Sequence, residues 1–221
     1  MEGDNMDYKA VIFDFDYTLG DATEAILAGF TYGMTSMGYL APERETVRQT
    51  VGMLLEDAYT KLTGDTDPEH RDQFRTLFSS VARPMQAANT PLCTGASELL
   101  HGLRNVGAAT GIVSTKHTTT LNTILAQHRL NGLLSFVIGG DMVKSPKPDP
   151  EGLRTGIRLL GLTPNQILYC GDTVIDAETA RNASVNFCAV LNGTTPAEAF
   201  SPYSCRHIAP NLPDLQRWLN L

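Results

Sequence analysis

Four short apolar runs punctuate the chain, followed by glycine, aspartate or hydroxyl residues: KAVIFDF (9–15), AATGIVST (108–115), QILYCGD (166–172) and VNFCAVLNG (185–193). Runs of this length without polar alternation predict strands buried on both faces. Between them, apolar residues recur at helical spacing. ASELLHGLRNVG (96–107) sets Leu99, Leu100, Leu103 and Val106 on one face, and TTLNTILAQHRL (119–130) and DPEGLRTGIRLLG (149–161) follow the same period. The last opens on Asp149-Pro150, suited to the N-cap and first helical position, and closes on a glycine. Strand and helix alternate, which predicts a parallel sheet covered by helices.

From Asp21 to Asn89 that alternation stops. EAILAGFTYGMTSMG, ERETVRQTVGMLLEDAYTKLTG and PEHRDQFRTLFSSVARPMQAAN are all helical in pattern, and in the middle one Val47, Val51, Leu54, Leu55, Ala58 and Leu62 share a face. Phe30, Tyr32, Met34, Met37 and Tyr59 are expected to pack helix on helix. The organisation predicted is therefore a catalytic core at 1–20 and 90–221 with a helical insert at 21–89. The insert is hinged at Gly20-Asp21 and near Asn89-Thr90-Pro91, as a mobile lid would be.

Composition narrows the function. The 221 residues are 42% hydrophobic and 19% charged, ordinary for a globular chain. Net charge is −7 and the 17 Lys and Arg are scattered, which argues against a nucleic-acid partner. An acidic protein that handles an anion needs a local device, such as a metal ion or backbone N–H groups. Cys93, Cys170, Cys188 and Cys205 form no CxxC pair and lack a zinc-spaced histidine, so reduced and mostly buried thiols are expected. The first ten residues lack a basic start and an apolar stretch, and no run reaches the ~18 apolar residues of a membrane helix. A cytoplasmic location without membrane contact is the expectation.

In a doubly wound sheet, ligands gather outside the carboxyl ends of the strands. The polar residues there are Asp14 and Asp16 in VIFDFDYTLGDA, Ser114 and Thr115 after the second run, and Asp172 and Asp176 in GDTVID, with Lys147 in the proline-flanked turn SPKPDP. Two carboxylates ~4 Å apart repel by roughly 4 kcal/mol at an effective dielectric of about 20, so the cluster calls for a cation. Oxygen donors without His or Cys favour Mg²⁺. Lys147 adds charge that a metal site alone does not require, and an anionic substrate, a phosphate, meets both demands. Asp14 would attack phosphorus to form an aspartyl-phosphate, and Asp16 would protonate the leaving oxygen and later deprotonate water. Ser114, with N–H groups near Thr115 and Phe15, would hold the phosphoryl oxygens. Lys116 is expected at the surface or rim, and the five histidines on helix surfaces or in loops.

DFDYTL, Ser114, Lys147 and GDTVID together resemble the haloacid dehalogenase-like hydrolase superfamily, within it the phosphoglycolate-phosphatase-like group with a helical cap. The resemblance covers nearly the whole chain, with all four motifs in order. It implies an α/β fold, a Rossmann-like parallel sheet core with an all-helical cap inserted after the first strand. It further implies that Asp14 is nucleophile and metal ligand, that Asp16 is acid/base and binds metal through its carbonyl, and that Asp172 completes the Mg²⁺ site. Ser114 would bind phosphate, with Thr115 beside it where relatives often carry Asn. Lys147 would be the third-motif lysine, and Thr18 and Asp176 would support the site. Tyr17 stands where this group usually has Gly, and Ala22 where Ser is common. The implied activity is hydrolysis of a small phosphorylated metabolite. A phosphomutase of the β-phosphoglucomutase kind, a pyrophosphatase and a non-catalytic phosphate-binding module are the alternatives.

Overall fold

The computed structural model describes residues 8–221, which divide into two compact units. One is the segment ending at Asp21 together with Leu92–Leu221; the other is Ala22–Pro91. In chain order the elements are β1 (Ala10–Phe13), then α1 (Thr23–Ser36), α2 (Arg44–Arg48), α3 (Leu55–Thr63) and α4 (Pro68–Ala88). The chain continues through α5 (Ala96–Asn105), β2 (Ala109–Val113), α6 (Thr118–Gln127), β3 (Phe136–Ile138), α7 (Glu151–Leu160) and β4 (Ile167–Gly171). It ends with α8 (Val174–Ala183), β5 (Asn186–Val190), β6 (Cys205–Ala209) and α9 (Leu212–Trp218).

The six strands form one parallel sheet in the order β3-β2-β1-β4-β5-β6. Period-two alternation in β1 divides its side chains between two cores. Val11 and Phe13 join Leu99, Leu103, Leu121, Ile124 and Leu215 from α5, α6 and α9 on one face. Ala10 and Ile12 join Leu153, Ile157, Ala177 and Ala180 from α7 and α8 on the other. With both faces covered, the inner strands are buried almost throughout, which is why their sequences read as unbroken apolar runs. This is the Rossmann-like sheet that the pattern predicts.

Four strands were expected and six are present among the described residues. Both additions lie at sheet edges: β3 has only three residues, and β6 (CRHIA) mixes charge with apolar positions because it is half-exposed. Asp149 Oδ1 accepts from Glu151 N at 2.9 Å, but the N-cap of α7 falls one residue later than expected, on Pro150; Gly161 ends that helix at φ +64°. All four cysteines are free thiols, Cys170 and Cys188 buried and Cys93 and Cys205 half-buried.

Helices account for all the regular structure of the second unit. The single helix expected over 43–64 is two, because Gly52 adopts φ +94° and Leu54 is extended ahead of α3. Val47 and Ala58 are buried, whereas Val51, Leu54, Leu55 and Leu62 are only partly so. Phe30, Phe74, Phe78 and Tyr59 form the aromatic centre, with Tyr59 stacked on Phe74 at 4.7 Å. Tyr32, expected among them, is 45% exposed. Arg48 pairs with Glu45 at 2.9 Å on its own helix.

Candidate active site

Strand β1 is flanked by β2 and β4, and the register sets Phe13 level with both Ile112 and Cys170. Asp14, Val113 and Gly171 therefore end the three strands at one height, at the point where the sheet's connections diverge to either side. Such a switch point opens a crevice at the carboxyl edge. Asp14, Ser114, Asp172 and Lys147 all come to this edge from separate segments.

Lys147 joins the carboxylates. Its Nζ lies 3.0 Å from Asp14 Oδ1 and 2.6 Å from Asp176 Oδ1, and its side chain is 5% exposed. The Ser114 side chain lies close enough to Asp14 to favour its charged form. Burial works against the Lys147 ammonium, but Asp14 and Asp176 outweigh it and hold its pKa above the ordinary lysine value. Burial pushes Asp14 up to about 6 although Lys147 pulls the other way, with Asp176 and Asp16 adding repulsion. Asp172 is held well above the usual carboxylate range, first by burial, then by Asp176 and Asp14.

Ligand atoms of Asp14, Asp172 and Asp176 lie within 4.8 Å of one another, all three residues buried. They are not equivalent. Asp176 is saturated: Oδ1 takes Lys147 and the Tyr169 hydroxyl (3.0 Å), and Oδ2 takes Thr173 N (3.1 Å) and Oγ1 (2.7 Å) in a capping box that starts α8. Asp14 Oδ1 makes no aligned hydrogen bond despite the nearby ammonium, and among the described residues the Asp172 carboxylate has its own backbone N–H and a long bond from Thr18 Oγ1 at 3.4 Å. Donor-poor Asp14 and Asp172 therefore fit a metal, and Asp176 fits a role holding Lys147. Four carboxylates in this cluster, Asp16 included, face the ammoniums of Lys147 and Lys116, a formal deficit matching one divalent cation. A set of oxygens alone suits Mg²⁺.

The loop after β1 is tight. Thr18, Leu19 and Gly20 all donate to Phe15 O, and Tyr17 N donates to Gly20 O at 2.7 Å. Tyr17 pays for this turn with φ +54°, a left-handed conformation uncommon for an aromatic residue. The loop carries Asp16, whose Oδ2 lies 3.1 Å from Lys116 Nζ. Asp16 Oδ1 is buried and has no hydrogen-bond partner among the described residues. Thr115 is half-buried in the loop after β2.

Lys116 corrects the expectation: its side chain is 6% exposed and paired with Asp16, not at the rim. Tyr169 was not singled out from the sequence. A tyrosine inside the buried run ILYCG was the available signal, since a buried phenol needs a partner, here Asp176 or Val113 O at 3.1 Å. Gly193 also escaped notice; a Cβ there would lie 2.1 Å from Asp172 Oδ2.

Residues 11–190 match the family model for haloacid dehalogenase-like hydrolases. The chain belongs to that family. A haloacid dehalogenase-like hydrolase from Bacteroides fragilis superposes with TM-score 0.91 at 36% identity, over 94% of this chain and 99% of that one. Pyrophosphatase PpaX of Bacillus velezensis is 26% identical over 93% of this chain and 94% of its own length. Phosphoglycolate phosphatase of Pseudomonas putida is 28% identical over 88% of this chain and 74% of its own. Hydrolases of this family generally use Mg²⁺, and the buried aspartate cluster is of a kind to hold it. Among the described residues no helix is long and apolar enough to cross a membrane.

Proposed function

We propose that this chain hydrolyses a small phosphate monoester through a phosphorylated Asp14. The observation that carries the reading is the pairing of Asp14 with Lys147, beside Ser114 and an Asp172 short of donors. Asp14 and Asp172, with the Asp16 carbonyl, would hold Mg²⁺, which when bound supplies positive charge against the phosphoryl oxygens and the carboxylates. Lys147 and the Ser114 hydroxyl hold the phosphoryl group, and Thr115 lies beside them at the end of β2. Asp176 fixes Lys147, and Thr18 steadies Asp172.

In the first half-reaction a carboxylate oxygen of Asp14 bonds to phosphorus as the bond to the leaving oxygen breaks, and Asp16 gives that oxygen its proton. In the second, Asp16 takes a proton from water, whose oxygen bonds to phosphorus as the acyl-phosphate bond breaks. Inorganic phosphate departs and Asp14 is restored. Similarity to PpaX favours a second reading, pyrophosphate as substrate, with the same residues in the same roles.

Inorganic phosphate release from phosphoglycolate, pyrophosphate and p-nitrophenyl phosphate, with Mg²⁺ and with EDTA, tests this. Turnover with Mg²⁺ that falls by at least ~10³-fold in Asp14→Asn is expected. Absence of turnover on a broad panel, or an active Asp14→Asn protein, overturns it.

A further inference from the structure

Lys147 already serves Asp14, yet a second lysine is buried on the neighbouring carboxylate. A lysine this enclosed is uncommon without a dedicated partner, and the fold builds its place with care. Gly140 N donates to Lys116 O at 3.1 Å, Gly139 N to Thr118 Oγ1 at 3.1 Å, and Thr118 N to Asp141 Oδ1 at 2.6 Å. A Cβ on Gly139 would come within 2.5 Å of Lys116 O, and one on Gly140 within 2.5 Å of Thr115 O. The two glycines after β3 thus let the loop 115–118 lie backbone to backbone against them, which fixes where Lys116 starts. Its ammonium then reaches Asp16 Oδ2 at 3.1 Å, while Asp16 Oδ1 has no partner among the described residues.

Resting on the phosphatase reading, in which Asp16 serves the leaving oxygen, this geometry puts a fixed positive charge on the leaving-group side of the site, apart from the one on Asp14. We propose that Lys116 is a specificity-determining residue that binds an anionic group carried one or two bonds beyond the leaving oxygen. The substrate class is a phosphate ester or anhydride with a compact, negatively charged leaving group, such as a short 2-hydroxycarboxylate or a second phosphoryl group. Neutral alcohols lack that partner. An ammonium opposite a carboxylate or phosphate forms a charge-assisted hydrogen bond, strongest where water is excluded.

The test compares phosphoglycolate and pyrophosphate with phenyl phosphate, whose leaving group is neutral apart from the oxygen itself, in wild type, Lys116→Met and Lys116→Arg. In Lys116→Met the ratio of kcat/KM for each anionic substrate to that for phenyl phosphate should fall by about tenfold or more, chiefly through KM, with partial recovery in Lys116→Arg. Melting curves confirm that both variants are folded. An equal fall on all three substrates assigns Lys116 to positioning Asp16 alone and overturns the proposal, as does an unchanged ratio. Wild-type silence on all three with Mg²⁺ overturns the phosphatase reading itself, and with it this one.

Discussion

In the helical unit Asp65 is given every donor it can use. Tyr39 and Tyr59 hydroxyls (2.8 and 2.9 Å) and His70 Nδ1 (2.8 Å) meet Oδ2, and Asp67 N meets Oδ1 at 2.9 Å. These bonds, the Asp67 N–H foremost, hold its carboxyl well below the usual range. In the sheet unit Asp14 and Asp172 are more deeply buried, have fewer donors, and sit above the usual range. Folding alone explains the first arrangement, because each polar group is satisfied. The second costs stability unless a cation arrives, and such strain is what a functional site retains. Asp176 shows that the contrast is not one of location: it lies in the same cluster, yet it is saturated like Asp65.

The sharpest way to break the comparison is to neutralise one carboxylate of each kind. Asp172→Asn should cut phosphatase turnover by at least ~10²-fold and remove the Mg²⁺-induced rise in Tm. In EDTA the same variant should be about 0.5–2 kcal/mol more stable than wild type, because a crowded buried charge is gone. Asp65→Asn should do the reverse, lowering Tm with or without Mg²⁺. Thermal unfolding of both variants in EDTA and in Mg²⁺ decides it, and a destabilised Asp172→Asn would remove the distinction.

Gly193→Ala probes the same carboxylate without touching its charge. The added methyl would overlap Asp172 Oδ2, so the carboxylate must move. A weakening of roughly 10–100-fold in the Mg²⁺ concentration needed for the Tm rise is expected, the size seen when groups that orient metal ligands are lost. An unchanged Mg²⁺ titration would show that Asp172 has room to shift.

How far the sequence carried the fold and the site follows from the same physics. Asp14, Ser114 and Asp172 were legible because buried parallel strands are continuously apolar, so the first polar residue after each marks the carboxyl edge; Lys147 was legible instead from its proline-flanked turn, SPKPDP. The edge strands β3 and β6 are half-exposed and lose that signal. Lys116 follows Ser114 by two residues, and nothing local says that its side chain turns inward; that depends on Gly139-Gly140, over twenty residues away. The Asp65 cluster was invisible for a related reason. Its donors come from the loop after α1, from α3 and from the start of α4, segments that only packing brings together.

Tyr59→Phe keeps the stack on Phe74 and removes only the hydroxyl, which bonds to Asp65 and to Tyr39 at 3.1 Å. Tyr59 is fully buried but Asp65 is partly exposed, so water replaces part of the lost bond, and a loss of about 0.5–1.5 kcal/mol is expected by urea unfolding. Tyr32→Phe, at a 45% exposed position, is the control and should unfold as wild type does. Equal stability of the two variants would mean that Asp65 does not need its full complement of donors.

The smallest effect is the most specific. Hydrogen bonding to Asp65, with Asp67 and Glu69 nearby, raises the His70 pKa above 6.5. A raised histidine adds stability that is fully present below its unfolded value and lost as pH rises through the folded one. Asp65 is depressed, so its share is present above about 3.8 and lost as pH falls through its lower folded value. The pair therefore contributes most between those two unfolded values, from about pH 4 to pH 6.5. His70→Gln keeps a neutral donor near Asp65, so its deficit in Tm should be greatest in that window and shrink above it. NMR titration of His70 gives the direct check: a pKa above 6.5 in wild type that drops toward it in Asp65→Asn. A His70 that titrates normally in both would mean that Asp65 is held by its tyrosines and backbone alone, with the imidazole only resting against it.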